Sequence, residues 1–316
     1  MRTWIVLSAT LMLAAGIALG QQRDGGKQRP RRQSDPGPRV TPTHPDVKYG
    51  PFSRNVMDVW LAKSDKPTPV VVSIHGGGFS SGNKAVDPGL LEECLQSGIS
   101  VVASTYRLSG EAAAPAQFLD SARAIQFIRS KAKEWNLDPS RIAATGGSAG
   151  AGISLWLGFH DDLADAKSED PVLRQSTRLT CMAVFNAQTS YDPRFIRHLF
   201  PGTDTYKIGA LAMLFRIKPD NLDELPKEKY RLFEECSPLA HLTKDDAPAL
   251  LVYSSTLETP IRDQNVGIHH PRFGKALKEK MDALGVECQV HTGVQKGSRE
   301  HTNLTMDFVK RQFGMK

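Results

Sequence analysis

The sequence lacks the residue patterns that mark most metal-binding, nucleotide-binding and redox proteins. A chain of 316 residues has only four cysteines, and no CxxC pair is present, which excludes the common zinc and thiol–disulfide motifs. A phosphate-binding GxxxxGK[ST] loop and a dinucleotide-binding GxGxxG turn are absent too. We therefore expect no cofactor and no metal, and we assign no catalytic role to the widely separated Cys94, Cys181, Cys236 and Cys288.

An excess of charge is also missing from the globular part. The formal net charge is +6, but seven basic and three acidic residues between positions 21 and 48 supply +4 of it, and Arg2 supplies one more. The rest of the chain is close to neutral, which argues against a nucleic-acid partner.

No apolar run reaches the roughly 20 residues of a membrane-spanning helix. The longest, residues 5–18, follows Arg2 and ends in small residues, which predicts a signal peptide over 1–20; an uncleaved anchor is the alternative. Residues 21–46 are rich in Pro, Gly, Gln and Arg and are expected to form a disordered linker. The sequence thus predicts a secreted or periplasmic protein with no membrane span after cleavage, and one domain over 47–316.

Strand and helix signals alternate through this domain. Short β-branched or apolar runs, bounded by turn residues, alternate with amphipathic segments such as 118–135 and 273–284. This order predicts an α/β fold with a mostly parallel central sheet and helices on both faces. Residues 186–248 form a lid-like insertion between two predicted strands.

One motif has the form GxSxG. Gly146, Gly147, Ser148, Ala149 and Gly150 lie between a predicted strand and a predicted helix. In a nucleophile elbow, such a turn exposes the serine hydroxyl above the sheet, and small neighbours prevent collisions. Ser148 is the predicted nucleophile.

A second motif, HGGG, directly follows the predicted strand at 70–74. Glycines at this point let backbone N–H groups face a substrate carbonyl oxygen. We predict an oxyanion hole from Gly77, Gly78 and Ala149. His75 is expected to support the loop rather than to act as a base, because it precedes the serine.

Together these motifs resemble the hormone-sensitive-lipase-like branch of the α/β hydrolases and the related feruloyl and acetylxylan esterases. The resemblance rests on HGGGF, YRL, PAQ, LDPSRI, GGSAG and SPL in this order, and it covers nearly the whole folded part. It implies the α/β-hydrolase fold and a chain order of serine, acid and histidine.

The histidine of this order falls at His301, which follows the last predicted strand within a polar loop. His291 is expected at the surface end of that strand. His269 and His270, before Pro271, are expected to be a solvated loop pair or helix-start contacts, and contact with substrate is the alternative.

The acid departs from the family pattern, because the glycine, two residues and aspartate that usually follow the strand at 249–253 are missing. Glu258 lies closest to the expected position. Asp263 is the alternative, although it also suits a cap of the next turn.

The predicted function is an exported serine carboxylesterase that hydrolyses short acyl or aryl esters through an acyl-enzyme on Ser148. Small-molecule esters and acetyl or feruloyl groups on polysaccharide are the expected substrates, the latter from the resemblance alone. Two alternatives remain: a catalytically inactive binding protein of the same fold, and a peptidase related to prolyl oligopeptidases.

Overall fold

The computed structural model describes residues 40–218, 221–222 and 225–315. In this part an eight-stranded sheet has the order β1-β2-β4-β3-β5-β6-β7-β8. Its strands are β1 (His44–Lys48), β2 (Val56–Trp60), β3 (Thr68–Ile74), β4 (Ser100–Ser104), β5 (Leu137–Gly147), β6 (Cys181–Phe185), β7 (Ala249–Val252) and β8 (Cys288–His291). Only the pairs that involve β2 are antiparallel, and all the others are parallel. The predicted α/β-hydrolase architecture is confirmed.

Helices lie between the strands. They are α1 (Pro88–Gln96), α2 (Ala116–Ser130), α3 (Ala149–Phe159), α4 (Pro193–Leu199), α5 (Gly209–Leu214), α6 (Lys227–Cys236), α7 (Pro238–His241), α8 (Gln264–Ile268), α9 (Arg272–Leu284) and α10 (Arg299–Gln312), with a 3₁₀ helix at Thr205–Lys207. The segment predicted as an insertion, 186–248, contains α4 to α7 and the 3₁₀ helix.

The sheet separates two hydrophobic cores. Successive side chains of a strand point to opposite faces, so on β3 Val70 and Val72 enter one core while Val71 enters the other. The larger core includes residues of α2, α3 and α9, and the smaller core includes residues of α1 and α10. Both faces of β3 are therefore buried, which explains why its sequence is apolar without alternation.

Helix ends follow the sequence signals. Asp87 caps α1, because its side chain accepts a hydrogen bond from Leu90 N at 3.0 Å. Gly285 ends α9 in the left-handed conformation, with φ of 74°. Helix α10 begins earlier than the sequence suggested, because Ser298 Oγ accepts a hydrogen bond from His301 N at 3.1 Å.

The folded part also begins earlier than predicted. Strand β1 pairs with β2 from His44 onward, and Trp60 Nε1 donates a hydrogen bond to Val40 O at 2.8 Å. The predicted boundary at 46/47 is therefore wrong for residues 40–46. The predicted signal peptide and the linker up to 39 lie outside the described residues. Among the described helices, none has the length and apolar character to cross a membrane.

Candidate active site

Ser148 occupies a sharp turn between β5 and α3. Its backbone has φ of 53° and ψ of −119°, a conformation that non-glycine residues rarely adopt and that is typical of strained functional positions. Ser148 N donates a hydrogen bond to Phe185 O at 2.9 Å, which ties the turn to the adjacent β6. The GxSxG segment thus has the geometry of a nucleophile elbow.

The flanking glycines are required by close backbone contacts. A Cβ at Gly150 would lie 2.1 Å from Ile74 O, and a Cβ at Gly146 would lie 2.6 Å from the same oxygen. Because these distances are far below van der Waals contact and the oxygen belongs to a central strand, side chains here would displace β3. The motif's glycines therefore let the elbow approach the sheet.

The HGGG segment forms a tight loop beside Ser148. Gly77 and Gly78 have φ of 97° and 58°, and Gly77 O accepts hydrogen bonds from Ser80 N at 3.0 Å and Ser81 N at 3.1 Å. Within the described part of the chain, the amide N–H groups of Gly77, Gly78 and Ala149 have no hydrogen-bond acceptor. All three residues line the same cavity as Ser148, so their amides are available to a bound oxyanion.

His75 anchors this loop from the other side. Its Nδ1–H donates to Gly76 O at 2.8 Å, and its ring stacks on Tyr106 with centroids 4.2 Å apart. Arg54 Nη2 approaches the remaining Nε2 at 3.4 Å, and burial lowers the pKa of His75. A neutral imidazole is suited to these contacts, which agree with a supporting role for His75.

His269 is the imidazole that contacts the nucleophile. Its Nε2 lies 2.8 Å from Ser148 Oγ, and its Nδ1–H donates to Asn265 O at 2.9 Å. That second bond leaves the Nε2 lone pair facing the hydroxyl, as a general base requires. Burial lowers the pKa of His269, so the neutral form predominates at neutral pH.

His301 does not make the contact that the sequence predicted. It lies in the first turn of α10, its ring packs edge-on against Phe185 with centroids 5.0 Å apart, and its Nδ1 accepts from Gly297 N at 3.3 Å. His301 lines a second cavity of about 320 Å³, with Lys296 and Asp87. Burial lowers its pKa, while Asp87 opposes this shift. The expected Ser148–His301 pair is corrected to Ser148–His269, because α10 starts before His301 and fixes its backbone.

Neither proposed acid bonds a histidine within the described residues. Glu258 is exposed on the loop after β7. Asp263 caps α8, with Oδ1 accepting from Val266 N at 2.9 Å, which is the alternative role considered for it. The position usually held by a carboxylate beside the base is taken here by a backbone carbonyl, that of Asn265.

The expectation of a solvated histidine pair is wrong, but the alternative, a helix-start contact, is confirmed for His270, which bonds the first residue of α9. His270 is fully buried, and its Nδ1 accepts from Arg272 N at 3.2 Å. His269 is partly buried at the C-terminal end of α8, the short helix that Asp263 starts and Pro271 follows. These two helix-boundary signals were visible in the sequence, but they do not indicate which elements meet in space.

The cavity in front of Ser148 has a volume of about 390 Å³ and a largely apolar lining. Ile208 and Leu211 of the insertion segment lie on its wall, and Ile268 adjoins His269. The site can therefore hold a small apolar group next to a polarised hydroxyl.

Comparison with known proteins decides the family. A family model described as BD-FAE matches residues 57–259, more than half of the chain. The chain belongs to the BD-FAE family. Esterase LipQ of Mycobacterium tuberculosis is 30% identical over 225 residues, which cover 69% of this chain and 50% of LipQ. The chain thus spans about half the length of this curated relative.

Solved structures share the fold of this BD-FAE member. A truncated carbohydrate esterase from gut microbiota has a TM-score of 0.65 at 21% identity, over 85% of this chain and 95% of its own. An acetyl ester-xyloside bifunctional hydrolase from Caldicellulosiruptor lactoaceticus has a TM-score of 0.68 at 20% identity. The match covers 88% of this chain and 99% of the hydrolase. The predicted resemblance to α/β-hydrolase esterases is confirmed.

Proposed function

We propose that this BD-FAE member is an exported serine carboxylesterase that uses Ser148 as nucleophile and His269 as general base. The observation that carries the proposal is the 2.8 Å contact between Ser148 Oγ and His269 Nε2. It is supported by the glycine amides that line the same cavity.

In the proposed reaction, Ser148 Oγ attacks the ester carbonyl carbon while its proton moves to His269 Nε2. The amides of Gly77, Gly78 and Ala149 stabilise the negative charge on the carbonyl oxygen. The C–O bond to the alcohol then breaks, and the alkoxide leaves with the proton from His269. Water attacks the acyl-enzyme in the same manner and releases the carboxylic acid.

The hydrogen bond to Asn265 O holds the ring in the reactive tautomer, but a neutral carbonyl stabilises an imidazolium less than a carboxylate does. We therefore expect a slower enzyme than one with a complete triad. The small apolar cavity favours short acyl groups. Because the sequence predicts export, acetyl or feruloyl esters on polysaccharide are the natural substrates to test beside simple esters.

The proposal is tested with p-nitrophenyl acetate, butyrate and octanoate on the purified chain and on matched histidine variants. We expect Ser148→Ala and His269→Gln to lose at least about 100-fold in kcat/KM, while His291→Gln, at the end of β8, retains the activity. Of the three esters, p-nitrophenyl acetate should have the highest kcat/KM.

Three outcomes would contradict it. If His301→Gln loses activity and His269→Gln does not, the base is His301. If no turnover depends on Ser148, the inactive binding protein becomes the better interpretation. A phosphonate probe that fails to modify Ser148 in the active chain would exclude the acyl-enzyme.

A further inference from the structure

Three potential metal ligands meet at the end of α3 remote from Ser148. They are His160, which follows the helix, Glu235 in the last turn of α6, and His241 at the end of α7. Each offers a ligand atom within 4.8 Å of the others. The 11 residues of α3 separate this cluster from the nucleophile by about 17 Å of helix, so it is distinct from the candidate active site.

Backbone carbonyls orient both imidazoles. His160 Nδ1–H donates to Asp161 O at 2.9 Å, and Nε2 lies 3.2 Å from the acceptor Glu235 Oε1, so a proton or a metal ion must bridge these two atoms. His241 Nε2–H donates to Glu235 O at 2.7 Å, which leaves Nδ1 with its lone pair. Metal-binding histidines usually donate their other N–H in this way, because the bond orients the ring.

Trp156 contacts all three residues of this cluster. Its indole packs against His160 with ring centroids 4.3 Å apart, and it meets His241 edge-on at 6.2 Å. Its Nε1–H donates to Glu235 O at 2.7 Å, so this carbonyl accepts two hydrogen bonds. Because Trp156 is buried in the core, the rings are held before any ligand arrives.

The cluster is also accessible. The side chain of Glu235 is 48% exposed and that of His160 is 15% exposed. An ion can therefore enter from solvent and keep a water molecule as a further ligand. Two imidazoles and one carboxylate suit Zn²⁺ and neighbouring transition metals rather than Mg²⁺ or Ca²⁺, which prefer oxygen ligands alone.

We propose that His160 Nε2, Glu235 Oε1 and an imidazole nitrogen of His241 form a binding site for a divalent transition-metal ion of the zinc class. The ion fastens the end of α3 to α6 and α7, and so secures the insertion segment on the hydrolase core. The site stabilises the fold and takes no part in ester hydrolysis. The sequence predicted no metal, because its ligands lie 75 and 6 positions apart and match no motif.

The test is titration of the metal-free full chain with Zn²⁺ by calorimetry, and with Co²⁺ by its visible d–d absorption. We expect one Zn²⁺ per chain, a tetrahedral or five-coordinate Co²⁺ spectrum, and a higher midpoint of thermal unfolding with Zn²⁺. Affinity should fall at acid pH, because imidazole must be deprotonated to bind metal.

Glu235→Gln and His241→Gln should weaken binding by at least about 10- to 100-fold and abolish the thermal shift. Glu235→Gln is the decisive variant, because an exposed side chain can be changed without disturbing the core. His198→Gln, an exposed histidine on α4, is the matched control and should bind as the parent does.

The proposal is overturned if Zn²⁺ does not bind, or if the Glu235 and His241 variants bind it as tightly as the control. Esterase activity should be equal in the metal-free and zinc-loaded chains. A failed metal test therefore leaves the assignment of Ser148 and His269 unaffected.

Discussion

At the scale of single residues, the base and its partner determine the expected pH dependence. His269 must be neutral to accept the proton of Ser148, and burial lowers its pKa below the ordinary value of 6.5. Its hydrogen-bond partner is a carbonyl, so no anion counters this shift. We expect the acid limb of the kcat/KM profile for p-nitrophenyl acetate to have its midpoint below 6.5.

Ser148→Ala, measured at each pH, supplies the background rate for this profile. An acid limb centred at or above 6.5 would indicate that a carboxylate pairs with the base after all.

Gly150 is the residue whose replacement should damage the elbow most. A Cβ at this position lies 2.1 Å from Ile74 O and 2.7 Å from His75 O, both backbone atoms. We expect Gly150→Ala to lower the free energy of unfolding by about 1–3 kcal/mol or more through overpacking, and to reduce esterase activity by moving the oxyanion loop.

Gly110→Ala is the matched control for this change, because nothing lies within 4 Å of its added Cβ. Urea unfolding of both variants measures the difference, and equal stability would refute the steric argument.

At the scale of elements, an ion pair joins the segment after β4 to α2. Asp120 is buried and accepts hydrogen bonds from Arg107 Nε at 2.8 Å, Nη2 at 2.7 Å and backbone N at 2.9 Å. Arg107 also stacks over the ring of Phe52, 3.6 Å from its centroid. The YRL motif thus has a structural role, because it anchors α2 to the sheet.

Removing this anchor should destabilise the protein. We expect Asp120→Asn to cost about 2–3 kcal/mol in the free energy of unfolding, since it leaves a charged group poorly paired. Arg107 retains some exposure, which moderates the loss. Asp282→Asn, which breaks the exposed Lys278–Asp282 pair on α9, should change stability by less than about 1 kcal/mol. Similar losses in the two variants would contradict this interpretation.

Each of the four cysteines lies in a helix or a strand. All four thiols are free and buried, and burial raises the pKa of Cys94, Cys181 and Cys288 to about 12. Thiolates are therefore scarce at neutral pH, as expected for cysteines that take no part in catalysis.

At the scale of the whole molecule, buried imidazoles make stability depend on pH. Burial lowers the pKa of four histidines below 6.5: His75, His269, His270 and His301. Below this value the unfolded chain binds more protons than the native chain, so the free energy of unfolding falls as pH falls through the histidine range. We expect a lower midpoint of thermal unfolding at about pH 5.5 than at about pH 7.5.

The comparison variant for this effect is His270→Gln, because His270 is buried away from Ser148 Oγ. The midpoint of thermal unfolding of this variant should depend less steeply on pH than that of the parent chain, whatever the variant's absolute stability. A midpoint that does not change over this range would show that the buried histidines are protonated equally in both states.

Much of the fold was determined by local sequence. Val70–Ile74 predicts a central strand because its β-branched side chains fill both faces. Asp87 begins α1 through its side-chain hydrogen bond, and Gly285 ends α9 through its left-handed backbone. Ser148 was identifiable for the same reason: the strained turn needs its glycines within the same five residues.

The tertiary structure alone decided which imidazole meets Ser148. Position in the chain favoured His301, but the cap at Ser298 brings His301 into α10, while α8 carries His269 to the cavity. The sequence also did not indicate that His160 and His241 lie beside Glu235. Spacing along a chain constrains neighbours within a helix or turn, whereas contacts between distant elements depend on how the helices pack against the sheet.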